Sequence, residues 1–570
     1  MLVLGVHSGW QDAGAALFDD YELIAAVPQA RLTGVARDGG RLPWEAVREC
    51  LAIADLQPGA VGALALSHGV FPSRYFTGLP LGRRVGRGLR ALFGRETPTS
   101  LAAECRRSGR RDAEAMIDTA ALLADLGLNR NIPVRFYSQH AAHALLPLFH
   151  TGWDEGLVFT ADAGGDGTAC GVRLLKYGRL GDVYGEGASP VAVADDTAML
   201  ARLVMLSVEG LGLPDAAALQ ALSAYGEPML AQALLAHFDV DDDGRIHAAF
   251  DAEGGLDRWL RRLAEGHPPA LVAASVQKCL EDVFARTLLR LMRRHEMRNL
   301  ALGGSLFDNP RLVHALAAQL SPAGLTVHPL SGDAGLPLGG ALDFLLARDG
   351  IAAWLQQRRP WQPVETGRDY AADIDPVLGN AGCRLVSKDP LHAAAALLNA
   401  GKSVIFYDHR ATLGRDGGAA RALLFAGTEA GAAAKANDRL GRPGFMPATL
   451  YLRRDDAAAY VSLPAALPAS LLQGGAVAAP LAERWRSRLP GAMAPDFLVL
   501  PYPVSPEAEP RLAELLGIYA GLSGVPALLG LPLQLDGEAP LDAPGEVRRL
   551  LDGRHADYIM TEYAVWERGD

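Results

Sequence analysis

One pattern occurs twice in this chain. Leu2–Val6 is a short apolar run that ends in a polar turn, Ser8-Gly9-Trp10-Gln11-Asp12-Ala13-Gly14. Two more apolar runs follow, Ala15–Phe18 and Leu23–Val27, hinged at Asp19-Asp20. About 154 residues later, the run that begins at Leu157 ends on Asp162, and a turn containing Gly164, Gly165 and Gly167 carries Asp166. Apolar residues then resume and turn again near Tyr177-Gly178. Short apolar runs bounded by turn residues read as buried strands. The glycines accept positive φ and let backbone N–H groups approach an anion. Asp162 and Asp166 would stand at the mouth of that turn, where a nucleotide phosphate or its metal would lie. Taken singly, the second copy reads first as a plain hairpin with solvated aspartates, and only second as a site. Repetition is the stronger constraint: two strand–acidic turn–hairpin units predict two similar lobes facing each other.

Lobes of that kind resemble actin, the heat-shock chaperone ATPases and the sugar kinases, which grip ATP with one phosphate hairpin from each lobe. A chain of 570 residues has room for such a pair and at least one further domain. A net charge of −11 argues against a dedicated nucleic-acid or anionic-membrane partner. Cys50, Cys105, Cys170, Cys279 and Cys383 lie far apart without zinc spacing, which reads as reduced thiols in a cytoplasmic protein. The first residues read as a strand, not a signal peptide, and no apolar run reaches the roughly 18 residues of a bilayer span.

Between and beyond the two copies, Trp44–Ile53 reads as a helix and Ala63–Ser67 as a strand. Residues 72–112 hold Arg83, Arg84, Arg87, Arg90 and Arg95. They read as a solvated helical insertion, with a basic helix over phosphate or lipid as the sharper alternative. Ser138–Phe149 begins a helix on which Gln139 and His143 share a face at i, i+4, and His140 and His143 stand at i, i+3. Paired histidines at such spacing can ligate a metal, or simply fill a capped helix start. Helices are expected at Thr197–Leu206, Asp215–Ser223 and Ala270–His295. Strand Asn299–Leu302 runs into Gly303-Gly304 and a helix near Asn309, a plausible nucleotide contact. A strand at Val327–Leu330 leads to Asp333, a third carboxylate beside a helix N-terminus.

Arg358–Asp369 has a linker composition. Beyond it the sequence reads as an α/β unit. It comprises Pro390–Tyr407, an Arg/Gly-rich turn at His409–Gly418, and a helix at Ala419–Phe425. Strands near Ala448–Leu452 and Phe497–Val499, helix Glu507–Ser523, strand Ala527–Leu531 and helix Pro544–Leu551 follow.

The ordered segments LGVHSGWQDAGAAL, SQHAAHA, FTADAGGDGTA, LSAYGEP, LALGGSLFDN, PLSGDAGLPLGGAL and GVPALLGLPLQLDGEAP resemble the NodU/CmcH carbamoyltransferases. The resemblance implies an α/β protein. Residues 1–357 would form a two-lobed actin-like ATPase (ASKHA) domain that transfers the carbamoyl group. Residues 358–384 would form a linker, and 385–570 a YrdC-like domain that makes carbamoyl-adenylate. ATP, with its magnesium, and carbamoyl phosphate would be the co-substrates, and an iron-type or other divalent metal would sit in the first domain. The acceptor would be a small-molecule hydroxyl on a natural product or sugar, and the expected protein partner is a homodimer copy or an active paralogue.

Carried over by motif, the metal set falls on Gln139, His143, Asp162 and Asp333, with Gln139 where the family has histidine. An amide is a weaker ligand than imidazole for iron or zinc. The nucleotide set falls on Gly164, Gly165, Gly303, Gly304, Asp308 and Gly335, with Gly339 also matching. Arg410, Arg421 and Arg442 are assigned to the carbamoyl phosphate and ATP phosphates. Asp12, His143 and Asp162 are the catalytic candidates, with Asp12 as the base toward the acceptor hydroxyl.

Other charged family positions are missing. Gln11, Gln29-Ala30, Ala218, Thr412, Asp416, Met446 and the run Gly530–Gln534 stand where the family has histidine, glutamates, lysine, glutamate, arginines and an Asn-Thr-Ser-Phe-Asn motif. Each lost arginine fork removes charge-assisted hydrogen bonds to phosphate. The alternative reading is therefore a repurposed paralogue that acts as a partner or regulator.

Overall fold

The computed structural model describes residues 1–77, 98–108, 114–165, 167–185, 195–250, 255–408, 410–413, 419–462, 472 and 475–569. Asp166, the arginines at 83, 84, 87, 90 and 95, and His409, Gly414, Asp416 and Gly418 lie outside them.

Five strands form the first sheet: β1 (Leu2–His7), β2 (Gly14–Asp19), β3 (Glu22–Pro28), β4 (Ala63–Ser67) and β5 (Val134–Tyr137), in the order β3-β2-β1-β4-β5. β1, β2 and β3 are antiparallel, whereas β4 and β5 add in parallel. The second sheet repeats this plan with β6 (Gly156–Gly165), β7 (Thr168–Lys176), β8 (Arg179–Gly185), β9 (Asn299–Gly303) and β10 (Gly324–Val327), ordered β8-β7-β6-β9-β10. Its first three strands are again antiparallel and its last two parallel. The internal repeat thus becomes two sheets of one topology, the two-lobed actin-like ATPase plan. The β7–β8 turn has the two adjacent positive φ angles of a tight hairpin, 52° at Tyr177 and 68° at Gly178.

Helices α1 (Gln139–Phe149) and α2 (Leu336–Gln356) lie between the two sheets. Their apolar faces pack on Val3, Ala16, Phe18 and Ala65 of one sheet and on Val158 and Ala301 of the other. Each large side chain removed from water in this layer contributes about 1.5–3 kcal/mol. The approach is close enough to require glycine. A Cβ on Gly339 of α2 would sit 2.2 Å from the Ala142 carbonyl of α1, and one on Gly5 would sit 2.0 Å from the Pro337 carbonyl.

A third, mixed sheet is built from nine strands between Arg384 and Glu567. Its centre includes β11 (Val404–Tyr407), β12 (Arg421–Phe425), β13 (Thr449–Arg453), β14 (Leu498–Val504) and β15 (Ala527–Pro532). Cores lie on both of its faces. Two expectations change. Residues 419–425 hold a strand rather than a helix, because Arg421–Phe425 are all buried and pair with both β11 and β15. Pairing on two sides overrides the helix preference of Ala and Leu. The strand expected at Val327–Leu330 lies earlier, at Gly324–Val327, and Pro329 lacks the N–H needed to extend the ladder.

The third sheet touches the first two at several points. Val35 forms a β-bridge with Glu538, and Ala539 N–H donates to the Gly34 carbonyl. Arg368 forks onto Glu49 with two contacts of 2.7 Å, and Arg311 pairs with Asp496. Among the described residues, no helix is long and apolar enough to cross a membrane.

Candidate active site

Ser138 starts α1 by accepting the Ala141 N–H at 3.0 Å, which sets the helix register. Gln139 and His143 then project from one face toward the end of β6. Gly303 fixes this placement from the other side, because a Cβ there would lie 2.2 Å from the His143 carbonyl. Gly304, at φ 96°, would meet the Ala161 carbonyl at 2.1 Å. A Cβ on Gly335 would meet the Leu330 carbonyl at the same distance, 2.1 Å. These glycines press β6, β9 and α1 together, a packing role that explains them apart from any nucleotide.

The result is a tight polar cluster. One ligand atom from each of His143, Asp162 and Asp333 lies within 4.8 Å of the others. His143 Nε2 is 3.1 Å from Asp162 Oδ2 and 3.7 Å from Asp333 Oδ1. It is buried, with these two carboxylates facing it. Burial alone would lower the His143 pKa, but the two carboxylates outweigh it and push it up to about 9. Burial likewise opposes the Asp162 charge, and the His143 imidazolium more than offsets that, holding this carboxyl well below the usual range. Gln139 Nε2 donates to Asp162 Oδ2 at 3.1 Å and to Asp333 Oδ1 at 3.2 Å. The four residues assigned to a metal by the family motifs therefore meet in space. An imidazole nitrogen and two carboxylates, one nearly dry, fit a divalent cation.

His140 is not part of this cluster. It is buried against the second sheet, with Nδ1 2.8 Å from Thr160 Oγ1 and Nε2 3.2 Å from the Thr168 carbonyl. Burial, helped by neighbouring His143, pushes its pKa down to about 4. Ser305 belongs to the cluster although no motif pointed to it: its Oγ donates to Asp162 Oδ1 at 2.7 Å and its N–H to Oδ2 at 3.3 Å. Asp308 lies close by, with Oδ2 3.8 Å from where a Cβ on Gly332 would be. Asp12 sits apart. Its Oδ2 takes Arg37 Nε at 3.0 Å and Nη2 at 2.8 Å, and Arg37 also feels the charges of Asp333 and Asp215. Asp12 is thus committed to an arginine rather than to the cluster. Gly164 and Gly165 lie at the end of β6, beyond Asp162.

A concavity of about 180 Å³ opens between the second and third sheets. Gln220, Tyr225 and Arg311 face Arg442, Met446 and Tyr451 across it. Of the three arginines assigned to phosphates, Arg442 alone lines this cavity among the described residues. Arg421 is turned inward on β12, only 2% exposed, with its guanidinium 3.7 Å over the Tyr407 ring and 3.4 Å from Asp542. Arg410 is half-buried outside the lining. Sequence reasoning missed Arg311, which comes from a distant helix, Pro310–Leu320. Met446, which stands where the resemblance expects an arginine, lines the same cavity, whereas Ala218, at the expected lysine position, is buried away from it.

No family model matches the chain. It is 25% identical over 341 residues to nodulation protein NolNO of Sinorhizobium fredii, covering 58% of this chain and 46% of that protein. It is 27% identical over 278 residues to nodulation protein NolO of Bradyrhizobium diazoefficiens, covering 47% and 49%. Nodulation protein U of Rhizobium tropici matches at 25% over 295 residues, covering 51% and 47%. The resemblance to the NodU family is borne out. The chain spans about half the length of the NodU-type relatives it matches.

Among solved structures, the activator of 2-hydroxyisocaproyl-CoA dehydratase from Clostridium difficile, with bound ADPNP, is 12% identical with a TM-score of 0.33. It covers 64% of this chain and 100% of that one. A ROK hexokinase from Thermus thermophilus is 17% identical with a TM-score of 0.30, covering 60% and 98%. The ATPase-like plan of this chain rests on its strand order.

Proposed function

We propose that the protein is an ATP-dependent carbamoyltransferase acting on a small-molecule hydroxyl, with carbamoyl phosphate as donor and carbamoyl-adenylate as intermediate. The single observation behind this reading is the meeting of Gln139, His143, Asp162 and Asp333, separated in sequence but matched to one family motif set. They would hold a divalent cation, which when bound supplies Lewis-acid polarisation of a carbonyl. Ser305 and the Ala163 N–H orient Asp162. Adenylate formation is assigned to a YrdC-like unit around the third sheet, where Arg442 and Arg311 face the cavity and meet phosphate charge.

Two observations favour the second reading, a repurposed paralogue: Arg421 is turned inward, and Met446 stands at the cavity wall in place of an arginine. Incubation with ATP and carbamoyl phosphate decides between them, read as pyrophosphate release beside an active relative. Release supports the carbamoyl reading. No release from folded protein leaves the paralogue reading.

A further inference from the structure

The geometry points to Gln139 as a two-state ligand. Its amide caps the cluster in the absence of a cation. It turns its carbonyl oxygen inward to hold a hard divalent cation of the manganese or magnesium class, in place of the iron-type cation a histidine would favour. This inference rests on the cation-site reading given above, and it concerns which cation this chain selects.

Four atoms form a closed ring. Gln139 Nε2 to Asp162 Oδ2 is 3.1 Å, and Asp162 Oδ2 to His143 Nε2 is 3.1 Å. His143 Nε2 to Asp333 Oδ1 is 3.7 Å, and Asp333 Oδ1 back to Gln139 Nε2 is 3.2 Å. Neighbouring ligands around an octahedral cation with bonds of about 2.1–2.3 Å lie about 3.0–3.3 Å apart. Three edges of the ring already have that length. The Gln139 position closes the ring, so it is part of the shell rather than a neighbour of it.

The amide nitrogen cannot ligate, since it offers only donors. In the observed orientation it bridges two carboxylates that would otherwise repel each other. A half-turn about the last side-chain bond puts Oε1 where Nε2 stood, with no change in the backbone. The donor set is then three oxygens and one imidazole nitrogen. Oxygen donors of this kind favour magnesium and manganese, whereas a second imidazole favours iron and zinc. Ser305 Oγ at 2.7 Å and the Ala163 N–H at 2.6 Å hold Asp162 Oδ1, and Oδ2, which also takes the Ser305 N–H at 3.3 Å, faces the ring.

The test uses the full chain, stripped of metal and dialysed against Mn²⁺, Mg²⁺, Zn²⁺ or, anaerobically, Fe²⁺. Bound metal is counted by mass spectrometry and Mn²⁺ is followed by paramagnetic resonance, without nucleotide. We expect one Mn²⁺ per chain, a tenfold or greater loss of Mn²⁺ affinity in Gln139→Leu, and at least a tenfold swing toward Fe²⁺ and Zn²⁺ in Gln139→His. Gln139→Leu binding Mn²⁺ as tightly as wild type would overturn the inference. So would a wild type that binds no cation while Gln139→His does. Should either variant fail to fold, crystals of the wild type soaked in Mn²⁺ decide. An anomalous peak about 2.2 Å from the Gln139 terminal atom supports ligation, and a peak away from it, or none, overturns it. Pyrophosphate release is read in the separate assay with carbamoyl phosphate, so its absence sinks the carbamoyl reading and leaves the cation measurements standing, whereas absence of cation binding sinks this inference together with the cation role assigned above.

Discussion

The two hairpins of the repeat have the same strand order and opposite chemistry. In the first, the turn after β1 carries Asp12, which is neutralised by Arg37 at the surface. In the second, β6 delivers Asp162 into a buried ring with His143, Asp333 and Gln139. The pairing plan needs only apolar alternation and glycine, so it survives in both copies. A charge survives burial only where partners meet it, so the two turns could diverge while the sheets did not.

That contrast can be broken by mutation. Asp162→Ala leaves His143 and Ser305 buried without their partner, and we expect a loss of about 3–5 kcal/mol in urea unfolding of the metal-free protein. A loss under about 1 kcal/mol would show that the ring is not under tension of charge. Gly339→Ala drives a Cβ against the Ala142 carbonyl, so α1 must move. About 3 kcal/mol or more should be lost, together with cation binding, and intact binding would mean that α1 does not position the ring.

A finer cut is functional. Asp333→Ala should abolish carbamoyl transfer yet spare pyrophosphate release, and equal loss of both would refute the division of labour between the sheets. The pH profile sharpens the contrast further. His143 gains its proton more readily folded than unfolded, so its contribution is complete below about pH 6.5 and is lost as pH rises through about 9. Metal-free protein should show that falling limb in thermal melts, and Asp162→Asn should flatten it. The smallest effect is expected at the first hairpin. Asp12→Ala removes a pair in which Arg37 is 54% exposed, and should cost less than about 1 kcal/mol.

Much of this layout was legible in the chain. Leu2–Val6, Ala63–Ser67 and Trp44–Ile53 announce themselves by apolar pattern, and Ser138, Asp215 and Asn309 by cap chemistry. Arg421–Phe425 was not legible as a strand, since its partners β11 and β15 lie on either side of it in the sequence and only the fold supplies them. Ser305, Arg37 and Arg311 were missed for a related reason. Each matters through a neighbour more than a hundred residues away, or through a loop whose path no local pattern sets. The family motifs placed Gln139 at the metal position, but only the geometry shows its amide between the two carboxylates.

The bridge from Val35 to Glu538 has one more consequence. Arg37 stands two residues along from that bridge and faces both Asp12 and Asp333 electrostatically. The loop that follows β15 is therefore bridged, two residues away, to the arginine that neutralises Asp12.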